Sequence, residues 1–434
     1  MYRKKIEELI EWKKSKNRKP LIIRGARQVG KTWLMKEFGN KYYEKCAYIN
    51  FDANTRMNEL FSGDFDIERI IQGLKIESGV NIEKQNTLII FDEIQETPKA
   101  LTALKYFYEN ANEYNIIAAG SLLGVAMHEG TSFPVGKVDF IDLYPLNFYE
   151  FLEALGENEL TKLINTKDLD MIKVFSDKLK NYLKQYMYIG GMPEVVDSYV
   201  KNKDFNEVRN IQNKLLEAYE QDFSKHAPNS IVPRIRQLWN NIPTQLAKEN
   251  KKFIYGLVKQ GARAREYEVA LSWLIDCGLV YQINRVKDCK IPLSAYQDFN
   301  AFKLYLLDVG LLCAMAKVDL QTIIEGNDIF VEFKGALAEQ YVLTELKTNN
   351  IDPIYYWSSE KGIAELDYLI QIGKENIPIE VKANENLQSK SLRIFVEKYK
   401  TKTNIRTSMS EYRKQDWLTN IPLYLIGNLK EIIK

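Results

Sequence analysis

The sequence is poor in the residues on which much protein chemistry depends. Its 434 residues include two histidines, His128 and His226, and four cysteines, Cys46, Cys277, Cys289 and Cys313. No two cysteines have the close spacing of a zinc knuckle or a redox pair, which argues against structural zinc and a disulfide framework. Net charge is scarce too: 60 Lys and Arg against 58 Asp and Glu leave +2, so the chain as a whole is neither a basic clamp nor an acidic solvating protein. It must bind through local patches. Long apolar runs are missing: IIAAGSLLGVAM, from Ile116, is shorter than the roughly 18 residues of a membrane span and is broken by glycines and a serine. The opening MYRKKIEELIEWKKSKNRKP is charged throughout and lacks the apolar core of a signal peptide. A cytoplasmic protein with no membrane partner is expected, whose chemistry runs on carboxylates, lysine, hydroxyls and bound cations.

A hydrophobic content of 45% with 27% charged residues is a globular balance, and at roughly 100–200 residues per domain the length holds two to four domains. From Leu21 to about Leu146, short apolar runs (LIIRG, CAYINFD, TLIIFD, YNIIAAGS) alternate with helical stretches (WLMKEFG, DIERIIQGLK, ALTALKYFYEN). That alternation predicts an α/β fold with a parallel sheet wrapped by helices. Residues 146–232 read as helical and aromatic. Between Asp139 and Leu160 six acids occur without a Lys or Arg, which reads as a solvated face. Residues 233–317 read as helix, turn, helix and β-hairpin, with YQINRVK in the hairpin. The remainder, 318–434, opens with the helix VEFKGALAEQYVLTELKT, passes through the strands IYYW, AELDYLIQI and IPIEVKA, and closes with a basic helix and a strand, IPLYLIG. The expected domains are 1–145, 146–232, 233–317 and 318–434.

Residues Gly25, Ala26, Arg27, Gln28, Val29, Gly30, Lys31 and Thr32 fill every fixed position of G-x-x-x-x-G-K-[ST], directly after an apolar strand and before a helix. Glycines let the backbone N–H groups curl toward phosphate oxygens, and the helix N-terminus adds a favourable dipole. The motif predicts ATP and Mg²⁺ as cofactors, with Lys31 reaching the β- and γ-phosphates and Thr32 ligating the metal. Sixty-one residues beyond Lys31, LIIFDE ends a buried strand with Asp92 and Glu93. Ligands sit at that end of such a sheet. Asp92 is expected to hold Mg²⁺ through water and Glu93 to act as general base; the other reading of the pair is a helix cap. The next strand, IIAAG, ends at Ser121, whose position fits a residue that senses the γ-phosphate. Arg24 and Arg27 lie in the loop, but neither position marks the arginine that completes charge neutralisation. If a neighbouring chain supplies it, the protein is an oligomer and hydrolysis rises steeply with concentration.

RGARQVGKTWL, LIIFDEIQ, AAGSLL, DLYPLNFYEFL and YIGGMPEVV, in this order, resemble the prokaryotic AAA-like ATPases that carry a C-terminal domain once of unknown function. The resemblance spans nearly the whole chain. Relatives are expected to show Gly-Arg before DLYPL where this chain has Gly136 and Lys137, so an arginine sensor is not expected there. The resemblance implies a winged helix after the helical segment. AREYEVALSWLIDCGLV is then the candidate recognition helix, with Arg263 and Arg265 at its start available to DNA. Glu266, Glu268 and Asp276 on the same helix favour a packing or signalling role instead.

A second constellation lies near the C-terminus. Period two places Glu380 and Lys382 on one strand face, and Glu365 and Asp367 on one face of the preceding strand. With Glu339 on the helix before them, the order Glu, Asp, Glu-x-Lys resembles the PD-(D/E)XK nuclease superfamily. That resemblance implies Glu339, Asp367 and Glu380 as Mg²⁺ ligands and Lys382 as the group that orients water for attack on a phosphodiester. Leu366 stands where the motif has proline. The other reading is a solvated edge strand. From Ala383 onward ten Lys or Arg face five acids, with Phe395, Tyr399, Tyr412 and Trp417 interleaved; DNA or another nucleic acid is the expected partner. The sequence supports two functions: an ATPase controlling a nucleic-acid-binding or nicking domain, or a nucleotide-dependent switch whose nuclease-like fold only recognises its partner.

Overall fold

A computed structural model describes residues 1–120, 133–248, 251–325, 331–359, 362–383 and 388–433. The chain divides into two compact units, one of Tyr2–Tyr144 with Asp276–Leu279, the other of Pro145–Ile275 with Val280–Lys434.

The first unit is built on a five-stranded parallel sheet: β1 (Leu21–Arg24), β2 (Lys45–Asn50), β3 (Thr87–Asp92), β4 (Asn115–Ala119) and β5 (Asp139–Asp142), in the order β2-β3-β4-β1-β5. Strands β3 and β4 are buried at every position, because helices cover both faces and both must be apolar. Ile22, Ile49, Ile89, Phe91 and Ile116 pack in one core with Phe61, Ile70, Leu74, Leu101 and Leu104, from the helices Thr55–Ser62, Ile67–Ser78 and Pro98–Asn110. On the opposite face Leu88 meets the helix Lys31–Tyr42 so closely that a Cβ on Gly39 would stand 3.3 Å from it. Helix ends are punctuated as the chemistry asks: Asp66 accepts from the Glu68 and Arg69 N–H groups, and Gly79 closes the same helix in the left-handed region.

In the second unit, residues 148–246 are largely helical, with helices including Ser176–Ile189, Phe205–His226 and Val232–Leu246. An eight-stranded mixed sheet follows: β6 (Val280–Val286), β7 (Gln297–Leu306), β8 (Ile354–Ser358), β9 (Glu365–Ile372), β10 (Glu375–Val381), β11 (Ile405–Ser408), β12 (Arg413–Lys414) and β13 (Thr419–Pro422). Its order is β12-β13-β11-β10-β9-β8-β6-β7. The boundary expected near residue 317 does not divide this sheet. The β6–β7 hairpin joins β8 through Arg285↔Tyr356 and Val286↔Trp357, and Val286 and Leu293 share a core with Trp357, Leu366, Leu369 and Phe395.

The Gly-Gly of YIGGMP has a steric cause. Leu146 N–H donates to the Gly191 carbonyl at 2.7 Å, and Gly191 N–H donates to Asp308 Oδ2 at 2.6 Å. A Cβ on Gly191 would fall 1.9 Å from the Leu146 carbonyl oxygen. Gly191→Ala should therefore destabilise the protein by about 1–3 kcal/mol, read as a lower urea midpoint; an unchanged midpoint contradicts the close approach of Gly191 to Leu146.

Several expectations need correction. The acids between Asp139 and Leu160 are not one solvated face: Glu150 is buried in a capping box with Asn147, and Asp142 pairs with Arg24. The closing strand is short, since the chain turns into a 3₁₀ helix at Leu423. β11 was not expected; its Arg406 and Thr407 are both buried. Phe395 and Tyr399, two of the aromatics interleaved with the basic residues, pack in and against the core. Phe395 is buried with its ring 5.0 Å from Trp357, and Tyr399 packs on the same tryptophan at 5.9 Å.

Candidate functional site

The phosphate-type loop leaves β1 at Gly25 and enters its helix at Lys31. Gly25 has φ +150°, and a Cβ there would stand 2.2 Å from the Leu143 carbonyl oxygen. Gly30 caps the helix at φ +93°. These two glycines let the backbone turn where a side chain is excluded. Val29 and Ala26 are buried, and Arg3 Nη1 donates to the Val29 carbonyl at 2.9 Å, holding the loop from beneath.

Lys31 donates to the Gly25 and Ala26 carbonyls at 2.9 and 2.7 Å. Burial lowers its ammonium to about 8, against the opposing pull of Glu93 and Asp92. The Thr32 hydroxyl donates to Asp92 Oδ2 at 2.7 Å, joining the helix that follows the loop to the end of β3. Hydroxyl and carboxylate oxygens are the hard donors Mg²⁺ takes, so this adjacent pair fits that ion. Glu93 sits at φ +52°, a left-handed conformation uncommon for a residue with a side chain, and its Oε2 accepts from Gln95 Nε2 at 2.7 Å. β4, the strand expected to lead to the γ-phosphate sensor, lies between β1 and β3; Ser121 itself lies outside the described residues.

Two features of this site were not read from the sequence. Tyr48, on β2, donates its hydroxyl to Asp92 Oδ2 at 2.9 Å, and Lys36 stands 3.6 Å from its ring centroid. The alternation of CAYINFD put Tyr48 on a sheet face without saying which acid it would meet. Arg24 is committed elsewhere, paired with both oxygens of Asp142 at 2.8 and 2.9 Å. Lys137 pairs with Glu109 at 2.9 Å.

The C-terminal constellation gathers on β9, β10 and the helix Val331–Thr348, but with company. Glu339 is paired with Lys251, and its Oε2 accepts from the Tyr305 hydroxyl at 2.9 Å. Lys303 lies 2.6 Å from Glu365 Oε1 and 4.0 Å from Glu339 Oε2. Asp367 Oδ2 accepts from Val381 N–H at 2.7 Å. Glu380 pairs with Lys382 at 2.8 Å and accepts from Leu392 N–H at 3.3 Å. β10 is an interior strand, and Glu380 is buried, so the solvated-edge reading does not apply. Burial and the Glu339 charge push Asp367 up to about 8. Glu339, despite its own burial, is held far below the usual carboxylate range by Lys251 and Lys303. Among the described residues no three His, Cys, Asp or Glu side chains are grouped to hold a metal ion; Glu339, Glu365 and Glu380 each face an ammonium group and Asp367 faces a backbone amide. The donor set does not fit Mg²⁺. Lys251 and Lys303 were missed by sequence; the signal was a lone lysine inside the apolar strand AFKLYLL.

In the candidate recognition helix, Ala264–Asp276, Tyr267, Leu271, Trp273 and Leu274 are buried, while Arg263 and Arg265 are exposed.

Residues 17–152 match the family described as AAA domain. With the loop, the β3 carboxylates and the strand order, this defines the first unit as a P-loop ATPase domain. Residues 180–322 and 334–426 match two families described as domains of unknown function, DUF8612 and DUF4143. The chain is 24% identical over 387 residues to the uncharacterized protein MJ1544 of Methanocaldococcus jannaschii, covering 86% of this chain and 77% of that one. A second uncharacterized protein of the same organism, MJ1637, is 25% identical over 204 residues, 44% of this chain and 41% of its own length. Among solved structures, the Walker-type ATPase PABY2304 of Pyrococcus abyssi aligns with 72% of this chain and 95% of its own, at 15% identity and a TM-score of 0.45. No helix among the described residues is long and apolar enough to cross a membrane.

Proposed function

We propose that the chain is an ATP-hydrolysing switch whose C-terminal unit recognises a nucleic acid rather than cutting it. The observation that carries the ATPase half is the Thr32–Asp92 hydrogen bond of 2.7 Å, which sets the two expected Mg²⁺ ligands side by side. In this reading the N–H groups of residues 26–31 cradle the β-phosphate and Lys31 contacts the β- and γ-oxygens. Thr32 and, through water, Asp92 would hold Mg²⁺, which would supply positive charge against the phosphates. Tyr48 fixes the Asp92 carboxylate. Glu93, held by Gln95, accepts the proton of the attacking water. The recognition half rests on the Glu, Asp, Glu-x-Lys order within a fold whose acids already have lysine partners, and on the basic balance of the last fifty residues.

Lys31→Ala tests the first half. ATP turnover should fall by about 10²–10³-fold, the usual effect of removing one group that stabilises transition-state charge; undiminished turnover sinks the proposal. Fluorescence anisotropy with labelled DNA and RNA, with and without ATP, tests the second. Affinity that falls with salt and shifts with nucleotide supports recognition, and no binding to either polymer removes it.

Lys31 also predicts a proton. Its folded value lies below that of an exposed lysine, so without nucleotide its contribution to stability is present only above the unfolded value and is lost as pH falls through about 8. Phosphate anions raise it again. At about pH 8.5, binding of a non-hydrolysable ATP analogue should take up roughly half a proton or more, seen as a dependence of calorimetric enthalpy on buffer ionisation heat. Lys31→Met should lose that dependence.

A further inference from the structure

Four carboxylates of the C-terminal unit, Glu339, Glu365, Asp367 and Glu380, are linked through shared lysine neighbours. Three lysines accompany them. Lys382 belongs to the Glu-x-Lys pattern, but Lys251 and Lys303 do not: Lys303 lies on β7 and reaches the cluster because the β6–β7 hairpin is part of the same sheet, whereas Lys251 lies well ahead of β6, in a segment held to β7 by the Phe253 N–H bond to the Phe302 carbonyl at 2.8 Å. The Lys303 side chain is 1% exposed, that of Lys251 11% and that of Glu339 6%. Lysines so deeply buried are retained only where acids compensate them.

The contacts are distributed rather than incidental. Glu339 receives Lys251 on one oxygen and Tyr305 on the other, and Lys303 bridges toward Glu365 while lying 4.0 Å from Glu339. Tyr356 closes the far side of Lys303, with its ring centroid 4.9 Å from the ammonium, and Tyr368 donates to the Glu339 backbone carbonyl at 2.8 Å. With Asp367 pushed up to about 8 and so largely protonated at neutral pH, three ammonium groups meet three ionised carboxylates. Without Lys251 and Lys303 the same acids would carry −3 against the single charge of Lys382, a net −2 of the kind that a divalent cation balances. Two positive charges are therefore supplied by side chains.

We infer that the ammonium groups of Lys251 and Lys303 are the resident cations of this acid cluster, which is held together without a divalent metal. The inference does not depend on the partner's being a nucleic acid, since it concerns the cluster alone. The superfamily pattern is retained in its acids and its lysine while the metal's charge is carried by two further lysines.

Manganese binding to the full-length, nucleotide-free protein tests this. Electron paramagnetic resonance titration with Mn²⁺ is carried out on the wild type, Glu339→Gln, Lys251→Met/Lys303→Met, and the triple variant that adds Glu339→Gln to the lysine pair. The wild type should show no Mn²⁺ site that Glu339→Gln removes. The lysine pair variant should gain one, and the triple variant should lose it. A stoichiometric wild-type site abolished by Glu339→Gln overturns the inference, as does a folded lysine pair variant that takes up no Mn²⁺. Circular dichroism separates folding from binding: a lysine pair variant that folds only when Mn²⁺ is added supports it, and if that variant stays unfolded the wild-type titration decides.

Discussion

Glu93→Gln should leave ATP bound and slow its hydrolysis by about 10²–10⁴-fold, the range by which a positioned general base accelerates proton transfer. The substitution keeps size and hydrogen-bonding capacity, so Gln95 still has an oxygen to hold, but an amide cannot take a proton from water. The loop, Lys31, Thr32 and Asp92 are untouched, so nucleotide affinity should stay within a few-fold. Single-turnover hydrolysis beside equilibrium binding of ATP separates the two. If affinity and rate fall together, Glu93 supports the loop instead; if the rate holds, the base lies elsewhere. The left-handed backbone at Glu93 gives a control: Glu93→Gly, which relaxes that conformation, should also stop turnover, though it relieves rather than adds strain.

Lys303→Met should cost about 3–5 kcal/mol of stability, the usual consequence of removing one member of a buried ion pair and leaving its partner charged. Methionine matches the length and apolar stem of lysine, so packing against Tyr356 survives and the loss reports charge. Burial alone would push Lys303 down, but Glu339, Glu365 and Asp367 together raise it, so it is charged across the usable pH range. Urea unfolding checks the figure. Adding Glu365→Gln should return part of the loss, since it removes one of the carboxylates left unpaired; a simple sum of the two single effects would mean that the pair is not coupled.

The ATPase site was legible because its chemistry is local. Gly25 to Thr32 are consecutive, and Asp92 and Glu93 end an apolar strand, so strand, turn and helix each confirm the next. The parallel sheet followed from the alternation of apolar runs and helices, whereas its strand order did not. Tyr48 was not legible, because only the parallel pairing of β2 with β3 brings it to Asp92. In the C-terminal unit Glu365, Asp367, Glu380 and Lys382 could be placed from period two, but Lys251 could not, and Lys303 left only the trace of a lone lysine in an apolar strand. Lys251 lies 88 residues from Glu339, and nothing near either residue announces the other. Arg406 misled in the opposite way: it reads as surface charge and is buried with its Nε donating to Asn420 Oδ1 at 2.9 Å. Long-range pairing of charged residues leaves little local trace, since each partner's own segment stays compatible with solvent.

The eight-stranded sheet decides where this chain can be cut. A fragment starting after residue 317 would keep β8 to β13 but lose the β6–β7 hairpin, baring the backbone of β8 along the edge where β6 pairs and taking Lys303 away from Glu365. An uncovered strand edge beside acids that have lost their cation invites self-association. A fragment beginning at Pro145 retains both, and is the smaller piece from which a folded C-terminal unit should be obtained.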